Sequence, residues 1–129
     1  MTNNQRDRLC YVFLAIAAFA IFGRTLFYPL LYWDDRQHIC QNPFFNPPSW
    51  ENLVMLWKQP YFGLYAPMAY SLWSLPVIIA RETWGIGSNC LSWGPPFHFL
   101  NVSLHAINTM LVFYLLLRFQ VLFCTSPAE

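Results

Sequence analysis

Charge is what this sequence has least of. Asp, Glu, Lys and Arg make up 10% of its 129 residues, where a soluble domain carries about a quarter to coat its water-facing surface. The seven basic and six acidic residues sum to +1 and stand singly or in pairs, so there is no basic run for nucleic acid and no acidic solvating tail. The four cysteines, Cys10, Cys40, Cys90 and Cys124, form no CxxC pair and no Cys/His spacing of the kind zinc sites use. Glycine is sparse, at five, and no dinucleotide-binding glycine motif, internal repeat or low-complexity tract occurs. These absences exclude a nucleic-acid partner and a zinc module, and they argue against a water-soluble domain.

What is present is apolar: 57% of the residues are hydrophobic and 19% aromatic. Residues 9–22 carry no charge and no helix breaker. Extended to Leu31 they reach the ~20 residues a membrane span requires, with Arg24 snorkelling its head to the interface along its aliphatic stem. Tyr28, Tyr32 and Trp33 supply an aromatic belt at the boundary. A cleaved signal peptide fits less well, because only Arg24 and bulky residues follow the apolar run. Residues 97–119 form a second run with no proline, no glycine and no charge before Arg118, and Pro95-Pro96 just ahead mark a helix start.

The expected fold is therefore an all-α integral membrane protein. A cytoplasmic N-terminus (1–8) leads to a transmembrane helix (9–31), a long loop with interfacial helices (32–96), a second transmembrane helix (97–119) and a tail (120–129). In the loop, Asn42-Pro43 and Pro47-Pro48 break the backbone. Ser49 then caps a short helix over 50–58 with Trp50, Leu53, Val54 and Trp57 on one face. Residues 66–80, interrupted by Pro76, read as interfacial or half-inserted. Residues 81–93 read as loop, with Gly85, Gly87 and Ser88-Asn89 as turn material. Arg6, Arg8 and Arg118 flank the spans, which places both termini in the cytoplasm and the loop outside it. Cys40 and Cys90 share that loop, and a bridge between them is open if it faces an oxidising compartment.

Two groups of residues could carry chemistry. Asp34-Asp35 follow the aromatic belt, where poor solvation and mutual repulsion favour base work; the plainer reading is a solvated helix end. His38 lies four residues beyond Asp34, and a divalent-metal site there would need further ligands. On the second span His98, Asn101, His105 and Asn108 recur at intervals of three, four and three, one polar stripe of a helix. Such groups hydrogen-bond to neighbouring helices or touch a substrate. Either role calls for partner helices, and so for a larger bundle.

The run Tyr32-Trp33-Asp34-Asp35-Arg36-Gln37-His38-Ile39-Cys40-Gln41-Asn42-Pro43 resembles the first-loop signature of C-type membrane glycosyltransferases. It is most similar to tetratricopeptide-repeat proteins with a protein O-mannosyltransferase-like membrane part. Three further patches resemble that family in order and spacing: Ser49-Trp50-Glu51-Asn52-Leu53 leading to Trp57, the stretch from Pro60 to Tyr70 containing Tyr65-Ala66-Pro67, and the stretch from Phe97 to Ala106. The resemblance implies a multi-spanning enzyme, in a bacterial inner membrane or the endoplasmic reticulum, that moves a sugar from a polyprenyl phosphate to an acceptor outside the cytoplasm. It implies Asp34 as the catalytic carboxylate beside Asp35, with His98, Asn101 and His105 binding substrate or packing the bundle. Partners would be the lipid bilayer, the lipid-linked sugar and the bundle's remaining helices. Many relatives have Tyr-Arg-Pro where Tyr65-Ala66-Pro67 stands, so no phosphate-facing arginine carries over. Because the family has many more spans, the chain reads as an N-terminal piece, a truncated frame or a degenerate copy, inactive alone. The alternatives are a small non-catalytic membrane protein acting as a helix-packing or interaction module and, last, an ion or proton conductor built on His98 and His105.

Overall fold

The computed structural model describes residues 3–85 and 89–124, and the elements among them are helices, with no strand. The α-helices are α1 (Asn3–Phe22), α2 (Trp50–Lys58), α3 (Pro67–Trp84) and α4 (Gly94–Cys124). They fall into two compact units, one of Met1–Arg24 with Asn101–Glu129 and one of Thr25–Leu100.

The first unit holds α1 and most of α4. Two helical stretches, Gln5–Phe27 with 23 residues and Cys90–Gln120 with 31, are long and apolar enough to cross a membrane. At 1.5 Å per residue they extend about 35 and 45 Å, against a hydrocarbon core of about 30 Å. Of the most apolar part of each, 6% and 11% is buried. A core helix of a soluble protein would bury most of that surface; here Val12, Phe13, Ile16, Ile21, Leu111, Val112, Leu115 and Leu116 all lie on the outside. The unit's internal contacts are small and specific. Tyr11 meets Phe113 edge-on at 5.3 Å between ring centroids and Phe22 meets His105 at 4.7 Å, while Ala18, Val102 and Ala106 are buried, small side chains of the kind that let helix backbones approach.

The helical path of the first apolar segment differs from the expected 9–31 at both ends. It begins at Asn3, tightens into a 3-10 turn over Gly23–Phe27, and leaves helical geometry before Pro29. Proline disfavours the α conformation in the residue before it, here Tyr28, whose amide closes the last turn on the Thr25 carbonyl at 3.0 Å.

The second unit has a genuine core. Leu30, Ile39, Phe45, Leu56, Tyr70, Val77, Ala80, Trp93 and Phe97 form one buried cluster. A Cys40–Cys90 disulfide joins the π-helical turn Arg36–Cys40 to the 3-10 turn Cys90–Trp93, settling the pairing the sequence left open. Gly94 passes so close to the chain at Tyr28 and Pro29 that any Cβ would collide with the Tyr28 carbonyl oxygen. Beside it the Leu30 amide donates to the Leu91 carbonyl at 2.7 Å.

In α2 the Ser49 cap is present, its hydroxyl accepting from the Asn52 amide at 3.1 Å; Leu56, 1% exposed, faces the core, while Trp50 is 73% exposed. The heavy aromatics decorate the outside and the leucines face the core. Pro76 does not interrupt 66–80: α3 runs through it to Trp84, with Pro76, Val77 and Ala80 buried. Burial of that face holds the turn together despite the missing N–H. Residues 81–84 are accordingly helix, and the loop opens only at Gly85, whose φ of 84° suits glycine. Gly87 and Ser88 lie outside the described residues. At the second span, α4 starts at Gly94, so Pro95-Pro96 occupy its first turn instead of preceding it, where their missing N–H groups would be unbonded anyway.

Candidate functional site

The two adjacent carboxylates have different surroundings. Asp34 and Asp35 open the short helical run that continues into Arg36–Cys40. Asp35 is half-buried and its Oδ2 accepts from the Leu31 amide at 2.8 Å. That carboxylate is spent on the backbone just after Pro29, fixing the bend by which the chain enters the loop. Asp34 is exposed and makes no hydrogen bond or ion pair with any described residue. An open hollow of about 520 Å³ in the same segment is lined by Leu31, Tyr32, Trp33 and Gln37, without Asp34. Arg36 does not neutralise the pair; its guanidinium donates to the Tyr32 hydroxyl and stacks 4.3 Å from that ring's centroid.

Four residues along the same run, His38 turns inward. Its Nδ1 lies 2.7 Å from the Tyr70 hydroxyl, and Tyr61, Phe62 and Tyr70 surround its ring. Burial pushes the Tyr70 phenol up, helped by Tyr61, and burial pushes Tyr61 up as well. The Tyr61 hydroxyl reaches the Gln37 carbonyl at 3.1 Å. This pairing was missed from sequence because Tyr70 lies 32 residues away, and no local signal points to it. It engages His38 with a phenol, and among the described residues no three His, Cys, Asp or Glu side chains come together as metal ligands.

Asn42 anchors the next turn. It is fully buried, donating to the His38 carbonyl and accepting from the Phe44 amide, both at 3.0 Å. Asn46 donates to the Asn42 carbonyl at 2.9 Å and accepts from Arg81 at 2.8 Å. A buried amide satisfied at both ends rigidifies a loop, and this one fixes the segment that carries Asp34 and His38. An apolar groove of about 220 Å³ on the same unit is lined by Phe44, Phe45, Pro48, Ser49, Trp50, Leu53, Ser74 and Ile78; with no ionisable group it offers no acid–base chemistry.

The polar stripe of α4 is divided. His98 belongs to the loop unit and is half-buried, its Nε2 enclosed without a hydrogen-bond partner. Asn101, His105 and Asn108 belong to the helical unit and are exposed. His105 touches Phe22 through its ring, while the Asn101 and Asn108 side chains bond to no other described residue. The residues singled out in the sequence thus fall into two groups: Asp34 and Asp35 at the head of the loop, and the asparagines and His105 along the helix.

Comparison with protein-family models, with curated proteins and with solved structures finds nothing that matches this chain.

Proposed function

We propose that this chain is a membrane-embedded module of a glycosyltransferase that takes sugar from a polyprenyl phosphate. The observation that carries the reading is the division of labour between the two carboxylates: Asp35 is consumed by the Leu31 amide, while Asp34 stands exposed and unbonded. The two apolar helices anchor the chain in a bilayer. The bridged loop lies on the extracytoplasmic face, since structural disulfides persist where thiols are oxidised. Asp34 takes the proton of an acceptor hydroxyl as its oxygen bonds to the anomeric carbon, and the sugar–phosphate bond breaks to release the lipid phosphate. Asp35 is a positioning residue, holding the backbone that presents Asp34. The further helices of the bundle supply the donor's lipid and phosphate contacts.

The test is transfer of labelled sugar from a polyprenyl-phosphate donor by membranes in which this chain is joined to the further helices of its bundle, at matched protein levels. Asp34→Asn keeps shape and removes the base, so transfer falls by about 10²–10⁴-fold while the chain stays folded and inserted. Transfer unchanged in Asp34→Asn would remove the catalytic assignment. A second reading, a helix-packing module without catalysis, is favoured by the exposed Asn101, His105 and Asn108; it calls for a partner helix whatever Asp34 does.

A further inference from the structure

The polar stripe of α4 continues. From Asn101 the exposed residues His105, Asn108, Val112 and Leu115 follow at alternating intervals of four and three, the spacing of the a and d positions of a left-handed coiled coil. This seam lies about a third of a turn around the helix from the packed residues Val102, Ala106 and Phe113, and its edge at His105 touches Phe22. Its first half is polar and its second half apolar. The order matters, because an asparagine in hydrocarbon must find a hydrogen-bond partner on another helix.

We infer that this seam pairs α4 with α4 of a second copy, in parallel, about a two-fold axis. The chemistry favours a copy over an unrelated helix. Two chains that insert with the same topology run their α4 helices in the same direction, so in a symmetric pair each seam residue faces its own counterpart. A carboxamide both donates and accepts, and Asn101 and Asn108, one heptad apart, each satisfy their symmetry mates. Val112 and Leu115 then close the lower half by packing. An aspartate or lysine at these positions would repel its own copy; asparagine is the polar group that suits a symmetric seam, and it fixes register as a buried seam asparagine does in soluble coiled coils. The pairing rests on the membrane reading of α4 and not on the assignment of Asp34.

Cysteine cross-linking of the 129-residue chain in membranes, in a Cys10→Ser/Cys124→Ser background, tests it. Val112 and Ile107 are equally exposed, 48% and 49%, but Ile107 sits off the seam, so random collisions would link both equally. Val112→Cys is expected to give a disulfide-linked dimer at least about tenfold more than Ile107→Cys. Adding Asn108→Leu should weaken the dimer roughly 3- to 30-fold, the equivalent of an interhelical hydrogen bond in a membrane. Equal linking at the two positions, or none in protein that resists alkaline extraction, overturns the pairing and leaves the membrane reading standing. Release of the chain by alkaline extraction overturns both. Sugar transfer plays no part in this readout, so a loss of the Asp34 assignment is distinguishable.

Discussion

Removing the Cys40–Cys90 bridge should loosen the loop unit about as much as truncating a large side chain of its core. The bridge spans 50 residues of sequence. Closing a loop of that length removes about 14 cal/mol/K from the opened chain, or about 4 kcal/mol at 25 °C. Residual structure in the opened loop takes some of this back, so about 3–4 kcal/mol is the expected loss, equivalent to roughly 10²–10³-fold in the population of the open form. The assay is native-state trypsin cleavage of the purified chain in detergent, with Arg36 and Arg81 as the reporting sites in the unit. Arg36 and Arg81 are half-buried in helical segments, so cleavage there tracks the open population when closing outpaces the protease, whereas Lys58, exposed at the end of α2, serves as the reference site. Cys40→Ser/Cys90→Ser protein should be cut at Arg36 and Arg81 about 10²–10³ times faster than the parent under non-reducing conditions. Rates within twofold of one another would refute the reasoning: the core cluster and the Asn42 network would then hold the unit alone.

Two further outcomes follow from the same unit. Gly94→Ala drives a methyl group into the Tyr28 carbonyl; an overpacking cost of about 1–3 kcal/mol is expected, read as a lower thermal midpoint of the detergent-solubilised chain, whereas Gly23→Ala, with open space around it, should leave that midpoint unchanged or raise it. Burial raises the phenols of Tyr61 and Tyr70, so above pH ~10 the opened chain sheds their protons first and the folded form holds more. Their contribution is complete below pH ~10 and is lost as pH rises further; protection from a protease active at high pH should decline there, and decline less steeply in Tyr61→Phe/Tyr70→Phe.

Features encoded by neighbouring residues were legible in the sequence. The two apolar runs announce themselves by length, and the Ser49 cap and the proline-marked start of α4 depend on residues within one turn. Features that rest on distant partners were not. Nothing near Cys40 specifies Cys90, and nothing near His38 specifies Tyr70. Which residue of α2 fills the core was not legible either: Leu56 is buried beneath the helix, while Trp57 spends its indole N–H on Ser71 at 3.0 Å. Pro76 misled, since a rule about isolated helices gave way to packing. The difference between Asp34 and Asp35 was invisible because it depends on a bend made by Pro29, which frees the Leu31 amide to reach one carboxylate and not the other.

The placement of Asp34 is thus a property of the loop unit. The segment that bears it is fixed from below by Ile39 in the core, from the side by the disulfide at Cys40, and from the following turn by Asn42. Each of these partners lies within Thr25–Leu100. Substitutions of the exposed apolar residues of α1 or of the outer part of α4 change surfaces that this core does not use, so on the proposed reading they should alter anchoring and pairing while leaving the carboxylate where it is. Substitutions at Asn42, Tyr70 or Gly94 act the other way, disturbing the presentation of Asp34 in a chain that still inserts. On the proposed reading, the exposed asparagines of α4 serve pairing and the exposed Asp34 serves sugar transfer, and the two fall in different compact units of the chain.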